Sequence, residues 1–267
     1  MLVAVVALLT ASLTVALAAT YKPAVIRAGN LVVKVGGGIW PSILPKHELT
    51  PVKTSIAGRL RTVDGSPVPP VKNFSVNIDK SFAVDAKGLP ACPQSRIEAR
   101  STAGARKACP KSIVGSGSAE AEVAFPEQKP FIARGPLVFF NGGVHGKTTL
   151  LLVHLYAAVP APTAIVTPVK VTRISKGNYG LEASANVPLI AGGYGSVTSF
   201  KFSLGRDFAY KGQKRGYIEA SCPRDKYLAE AHVAFRDGSS YKATVVLPCA
   251  SQGSAKHGYG PAGYVHG

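Results

Sequence analysis

The sequence has few of the residues on which enzymes usually depend. Only 14 of its 267 residues are Asp or Glu, so a pair of carboxylates that would hydrolyse a glycosidic bond has little support. The closest approach to a serine-nucleophile motif is Gly115-Ser-Gly-Ser118, which lacks the Gly-x-Ser-x-Gly spacing. We therefore expect no catalytic residue and no cofactor, and we favour a protein that is not an enzyme.

Cysteine is also scarce, with four residues in the whole chain. They form no Cys-x2-Cys pair and have no histidine at short spacing, so we expect no zinc site. An even number of cysteines in an exported chain favours disulfides. Of the three possible pairings we expect the sequence-local one, Cys92–Cys109 with Cys222–Cys249, each bond being worth about 3 kcal/mol.

One segment resembles a phosphate-binding loop, Asn141-Gly-Gly-Val-His-Gly146-Lys147-Thr148. Asn141 stands where the first glycine is needed, and the residues that follow look like a strand. A phosphate site needs the N-terminus of a helix there. The segment therefore predicts a glycine-rich β-turn.

Long apolar runs are confined to the N-terminus. Residues 2–19 are uncharged and almost wholly apolar, and they end in Ala16-Leu-Ala-Ala19, which indicates a signal peptide cut after Ala18 or Ala19. An uncleaved anchor is the less favoured alternative. The next long run, Leu150–Val159, has the length of a central strand and not of a membrane span. We therefore expect a secreted, extracellular protein with no integral membrane segment in the mature chain.

Glycine and proline are frequent, with 28 and 20 residues, which suits many short strands and turns. Phe74, Val76 and Ile78 alternate with polar residues, as in a half-buried strand. The one helical pattern spans residues 93–108, between the first two cysteines. We predict an all-β domain over residues 20–249, a jelly-roll-like β-sandwich with one short disulfide-stapled helix. Two β modules split near residue 160 are the alternative, and residues 250–267 are predicted to be a disordered tail.

The end of this domain is predicted to be a three-strand meander, with strands at Tyr217–Ser221, Tyr227–Phe235 and Tyr241–Leu247. If Cys222 and Cys249 flanked the first and third strands of one flat sheet, they would be too far apart to bond. The pairing therefore requires one strand to bend out or cross to a second sheet.

Lysine and arginine exceed the acidic residues by 31 to 14, a net charge of +17. Such an excess attracts polyanions, or only keeps the protein soluble. No run of five basic residues and no nucleic-acid-binding motif occurs, so we expect no nucleic-acid partner. The partner that we expect is an anionic cell-wall polymer or glycan.

Three side chains are weak candidates for a ligand surface: Tyr194, Tyr217 and His232. Strand tyrosines line some sugar platforms, although they more often pack in cores. His232 shares a strand face with Glu230, a spacing that suits a general-base or metal pair but is also common on solvated strand faces.

Short patterns spread over most of residues 40–249 carry a family resemblance. They include Gly88-Leu-Pro-x-Cys92, Cys109-Pro-x-Ser-Ile-Val-Gly115-x-Gly117, Ser221-Cys222-Pro and Pro248-Cys249. Together they resemble exported proteins of soil actinobacteria of the Solirubrobacter type. The resemblance implies a bacterial, exported protein and transfers no site residue.

The function that we expect from these observations is non-enzymatic binding, or a structural role, in the bacterial envelope. The alternative is a carbohydrate-binding or divergent carbohydrate-active β-sandwich protein.

Overall fold

The computed structural model describes residues 23–159 and 161–252. The predicted signal peptide and residues 253–267 of the predicted tail lie outside the described residues. The described chain is mostly β-strand with one α-helix, which confirms the all-β prediction. None of its helices has the length and apolar character needed to span a membrane.

The strands and the helix follow one another in this order: β1 (Ala24–Ala28), β2 (Leu31–Trp40), β3 (Ile43–Leu44), β4 (Thr50–Pro51), β5 (Lys53–Thr62), β6 (Val71–Asp79), β7 (Phe82–Val84), α1 (Thr102–Ala108), β8 (Ile113–Val123), β9 (Phe131–His145), β10 (Thr148–Ala157), β11 (Thr163–Lys176), β12 (Tyr179–Asn186), β13 (Gly195–Leu204), β14 (Asp207–Tyr210), β15 (Gln213–Gly216), β16 (Ile218–Ala220), β17 (Lys226–Phe235), β18 (Ser240–Pro248) and β19 (Ala250–Ser251). Strand β19, the first two residues of the predicted tail, pairs in parallel with β3.

Twelve of these strands form a single sheet in the order β1-β2-β5-β13-β8-β9-β10-β11-β12-β6-β17-β18. The sheet curls until its two edge strands, β1 and β18, touch. Leu31, Val68 and Phe235 form a buried apolar cluster between the strands of these two ends. The sheet is therefore nearly barrel-like and not clearly the sandwich that the sequence analysis predicts. The reason is that one continuous ladder of hydrogen bonds joins strands that a sandwich would divide between two sheets. The ladder also joins β10 to β11, on either side of residue 160.

The inner face of the sheet holds the main core. Strand periodicity places an apolar side chain at every second position, as with Phe139 on β9 and Leu151 on β10. Gly58 on β5 shows how closely the core is packed. A Cβ atom at that position would lie 2.3 Å from the ring of Phe200 on the neighbouring strand.

A second apolar core lies on the outer face of β9, β10 and β11. The segment from Cys92 to Cys109 covers Val138, Phe140 and Leu152, each of which is fully buried. The Cys92–Cys109 disulfide closes this segment, which we call the stapled insert, and the prediction of this bond is confirmed. The disulfide joins the two ends of the segment to each other, and the segment is held to the sheet by packing and by hydrogen bonds such as that from the Cys92 N–H to the Asn141 backbone carbonyl, at 2.8 Å.

The helix of the stapled insert is shorter than the sequence pattern predicts. Residues Gln94–Arg96 form only a 3-10 turn, and α1 begins at Thr102. Ser101 is the reason, because its backbone is extended and its side chain accepts a hydrogen bond from the Gly104 N–H at 3.3 Å. Serine in this N-cap position starts a helix and does not continue one.

His154 joins the stapled insert to the sheet, and it predicts a pH dependence of stability. Its side chain is fully buried on β10, and Nε2 donates a hydrogen bond to the Arg100 carbonyl at 2.9 Å. Burial lowers the pKa of His154 below its ordinary value of 6.5, although this hydrogen bond opposes the shift. Below that pH the unfolded chain binds a proton more readily than the folded chain, so the free energy of unfolding falls as the pH falls.

We expect His154→Gln, which retains a donor for the Arg100 carbonyl, to flatten this dependence. Urea unfolding between about pH 8 and pH 5.5 measures it, and exposed His232→Gln is the matched control. An equal slope in wild type and His154→Gln would show that His154 does not carry the effect.

The meander predicted at the end of the domain is only partly present. Strands β17 and β18 form a hairpin through Asp237 and Gly238, as expected. Strand β16, however, pairs with β4 and β7 in a separate three-stranded sheet. This departure brings Cys222 to 6.0 Å from Cys249, measured between Cα atoms, and the predicted disulfide between them is confirmed.

Candidate polyanion-binding face

The three side chains predicted for a ligand surface lie apart from one another. Tyr194, just before β13, is 47% exposed and its ring centroid lies 5.3 Å from that of Phe125. Tyr217 is only 2% exposed, and burial raises the pKa of its phenol. Tyr217 therefore belongs to the core and not to an accessible surface. His232 is exposed on β17, far from β13 in the strand order.

The His232–Glu230 pair suggested by the sequence is replaced by other contacts of Glu230. This carboxylate lies 3.0 Å from Lys242 Nζ and accepts a hydrogen bond from the Asn77 side chain at 3.1 Å. Lys242 and Asn77 hold the pKa of Glu230 below its usual range. The carboxylate is thus stabilised in its charged form, which weakens it as a base for His232 to assist.

The segment that resembles a phosphate loop is the β9–β10 hairpin, with Gly146 and Lys147 at its turn. Asn141 is 1% exposed, and its side-chain amide donates to the carbonyls of Leu89 and Pro90. Its side-chain oxygen Oδ1 accepts a hydrogen bond from the Gly143 N–H at 3.1 Å. The prediction of a glycine-rich turn is confirmed, and Asn141 ties that turn to the start of the stapled insert.

The best-defined recesses are small. The two best-defined recesses among the described residues have volumes of about 20 Å³ and about 10 Å³, enough for roughly one water molecule each. One lies beside Ile39 and Tyr227, the other beside Leu189 and Arg236. Among residues 23–159 and 161–252, no group of three or more His, Cys, Asp or Glu side chains is placed to hold a metal ion.

The feature that does stand out is a concentration of positive charge on the outer face of one half of the sheet. Lys34 lies directly opposite Arg59, which lies opposite Ser199 on the next strand. Residues directly opposite in an antiparallel pair project from the same face. Because Phe200, on the other side of β13, points into the core, these side chains point outward.

The same register places other cations on this surface. Lys201 lies two residues after Ser199 on β13, and Arg61 two residues after Arg59 on β5. We call the surface the basic face and define it by six exposed side chains of β1, β2, β5, β13 and β9: Arg27, Lys34, Arg59, Arg61, Arg134 and Lys201.

Acidic side chains do little to neutralise the basic face. Within the described chain they are Glu120 and Glu122, both on β8. Glu120 lies 2.6 Å from the Nε atom of Arg134 and accepts a hydrogen bond from Ser199 at 2.9 Å. These two hydrogen bonds, with smaller contributions from the charges of Arg134 and Arg59, lower the pKa of Glu120. Two carboxylates thus face six cations, and the face keeps a positive excess.

The cations of the basic face are spread over several strands at regular spacings. Neighbouring strands lie about 4.8 Å apart and residues on one face of a strand about 6.8 Å apart. The cations therefore form a grid that an extended polymer can follow. Sequence reasoning missed this face because its members are distant in the chain, and only the register brings them together.

Comparison of the chain with protein-family models, with curated proteins and with solved structures found no match. The basic face must therefore be interpreted from its own chemistry.

Proposed function

We propose that this protein is a non-enzymatic binding protein of the bacterial envelope, which docks on an anionic wall polymer through the basic face. The observation that carries the proposal is the clustering of six exposed cations on one surface, with Glu120 already engaged by Arg134. The two disulfides fit an oxidising, extracellular-type environment. Secretion to the envelope is part of the proposal.

Binding is favoured over catalysis by the shape of the surface. A divergent carbohydrate-active enzyme needs a cleft that surrounds a sugar and aligns two carboxylates. The two recesses described above each hold about one water molecule, and Glu120 is held as a charged partner of Arg134.

Exposed cations bind through many weak contacts, because each surface ion pair contributes roughly 0–1 kcal/mol. A polymer that follows the basic face makes several contacts at once, and its affinity falls as salt screens them. Salt sensitivity is therefore an expected property of this mode of binding.

We expect wild-type protein to sediment with purified bacterial cell walls at about 0.05 M salt and to stay in solution at about 0.5 M salt. The variant Lys34→Gln/Arg59→Gln/Lys201→Gln should lose most of the low-salt binding. All three residues are exposed strand residues, so the variant should stay folded, and its circular-dichroism spectrum checks this.

The matched control is Lys87→Gln/Lys107→Gln/Lys226→Gln, which removes the same charge from exposed positions outside the basic face. It should bind nearly as well as wild type. Equal losses in the two variants would show that net charge alone drives binding and would refute the assignment to this face.

A further inference from the structure

The only tryptophan of the chain lies at the edge of the same surface. Trp40 ends β2, is 66% exposed and lies directly opposite Lys53, which is also exposed. Because Trp40 lies six positions after Lys34 on one strand, and side chains alternate between the two faces, both point outward. A large exposed ring beside a cation offers an apolar surface and a charge at one place.

Small residues of β2 and β5 lie between Trp40 and the cations. Gly36 and Gly38 occupy the outward positions of β2 between Lys34 and Trp40, and they lie opposite Ala57 and Ser55 of β5. Six residues of strand span roughly 20 Å. A polymer chain lying along this pair of strands would reach Trp40 at one end and the Lys34–Arg59 pair at the other. Between them it would pass over the small residues of the two strands and beside the ring of Pro23, which lies next to Gly36.

We infer that Trp40 and Lys53 form a subsite for one sugar ring of an anionic polysaccharide. The inference rests on the proposed function and specifies the class of polymer. The apolar C–H face of a pyranose ring packs on the indole, which removes apolar surface from water. Lys53 pairs with an anionic group on or beside that ring, and charges several rings further along the polymer reach Lys34 and Arg59, roughly 20 Å away.

The position of Trp40 also supplies the measurement, since the emission of a single tryptophan reports only on its own surroundings. The probe is polygalacturonate, a linear uronic acid polymer, and poly-L-glutamate serves as a polyanion without sugar rings. We expect polygalacturonate to shift the emission to shorter wavelength and to protect Trp40 from quenching by acrylamide. Poly-L-glutamate should bind more weakly and leave the emission nearly unchanged.

Substitution separates the sugar contact from the charge contact. Trp40→Ala should weaken binding of polygalacturonate by about tenfold and leave binding of poly-L-glutamate unaltered. The control is Tyr194→Ala, because Tyr194 is an exposed aromatic residue just before β13 and outside the proposed subsite. This substitution should change the affinity for neither polymer. Light scattering or calorimetry gives the affinities of variants without tryptophan.

Three other results are decisive in different ways. If Trp40→Ala has no effect, or weakens both polymers equally, the sugar subsite is wrong and binding by charge stands. If the Lys34/Arg59/Lys201 variant binds poly-L-glutamate as tightly as wild type, the basic face is wrong. If both polymers protect Trp40 equally, the site recognises charge without regard to sugar, which also overturns the inference.

Discussion

Replacing Phe140 with alanine is expected to lower the free energy of unfolding by about 3–5 kcal/mol. Phe140 is fully buried on the outer face of β9, in the apolar core that the stapled insert covers. Its ring lies 6.5 Å from that of His154, measured between centroids. Removal of the ring leaves a cavity between the sheet and the stapled insert. The disulfide and the strand hydrogen bonds hold these two parts in place, so they relax little into the cavity. Urea denaturation at neutral pH measures the loss.

The matched control is Phe131→Ala, on the same strand. Phe131 is only half-buried, at the start of β9, and its ring contacts Phe125 at 6.3 Å between centroids. It should cost clearly less. If the two substitutions cost the same, the stapled insert does not form a true core with the sheet.

Replacing both Cys92 and Cys109 with serine is expected to cost about 3 kcal/mol, since the bond closes a loop with a sequence separation of 17 residues. The loss should also be local. Arg96, Arg100 and Arg106 of the stapled insert are exposed, so a loosened insert becomes a substrate for trypsin. Denaturation measures the overall cost, and mass spectrometry of brief digests locates the first cleavage.

The double variant Cys222→Ser/Cys249→Ser is the control. It removes a disulfide that closes a loop of similar length, with a sequence separation of 27 residues, near the C-terminal end of the described chain. It should also lower stability but leave the arginines of the stapled insert resistant to trypsin. First cleavage at the same sites in both variants would show that the insert opens only when the whole protein unfolds.

Most of the strands could be predicted from the sequence, because each carries its own alternation. Phe74, Val76 and Ile78 lie on β6, and Phe74 and Ile78 pack against the main core, as their spacing indicates. The closure of the sheet could not be predicted in this way. Alternation fixes which side chains face inward, but the same pattern suits a sandwich and a curled single sheet. The contact of Leu31 with the cluster around Phe235 depends on residues about 200 positions apart.

The disulfides were predictable because each pair is close in sequence and flanks a segment with its own structure. The path of β16 was not, since Ile218–Ala220 is a short run that pairs with β4 and β7 and not with its neighbour in sequence. Tyr217 shows the same limit. Its aromatic strand pattern is equally suited to a surface platform and to the core, where it lies.

The candidate site was the least predictable part. The excess of lysine and arginine is plain in the composition, but Lys34, Arg59 and Lys201 have no local spacing that joins them. The register of β2, β5 and β13 does so. Trp40 is likewise unremarkable in the sequence until its strand places it on the same side as these cations.

The central claim is that one face of the sheet binds an anionic wall polymer. Acetylation of lysines by a soluble reagent, read by mass spectrometry with and without purified wall polymer, tests it without any substitution. The account predicts that the polymer protects Lys34, Lys53 and Lys201, and that Lys87, Lys107 and Lys226 react as before. Uniform protection of all six lysines, or protection of the second set alone, would contradict it.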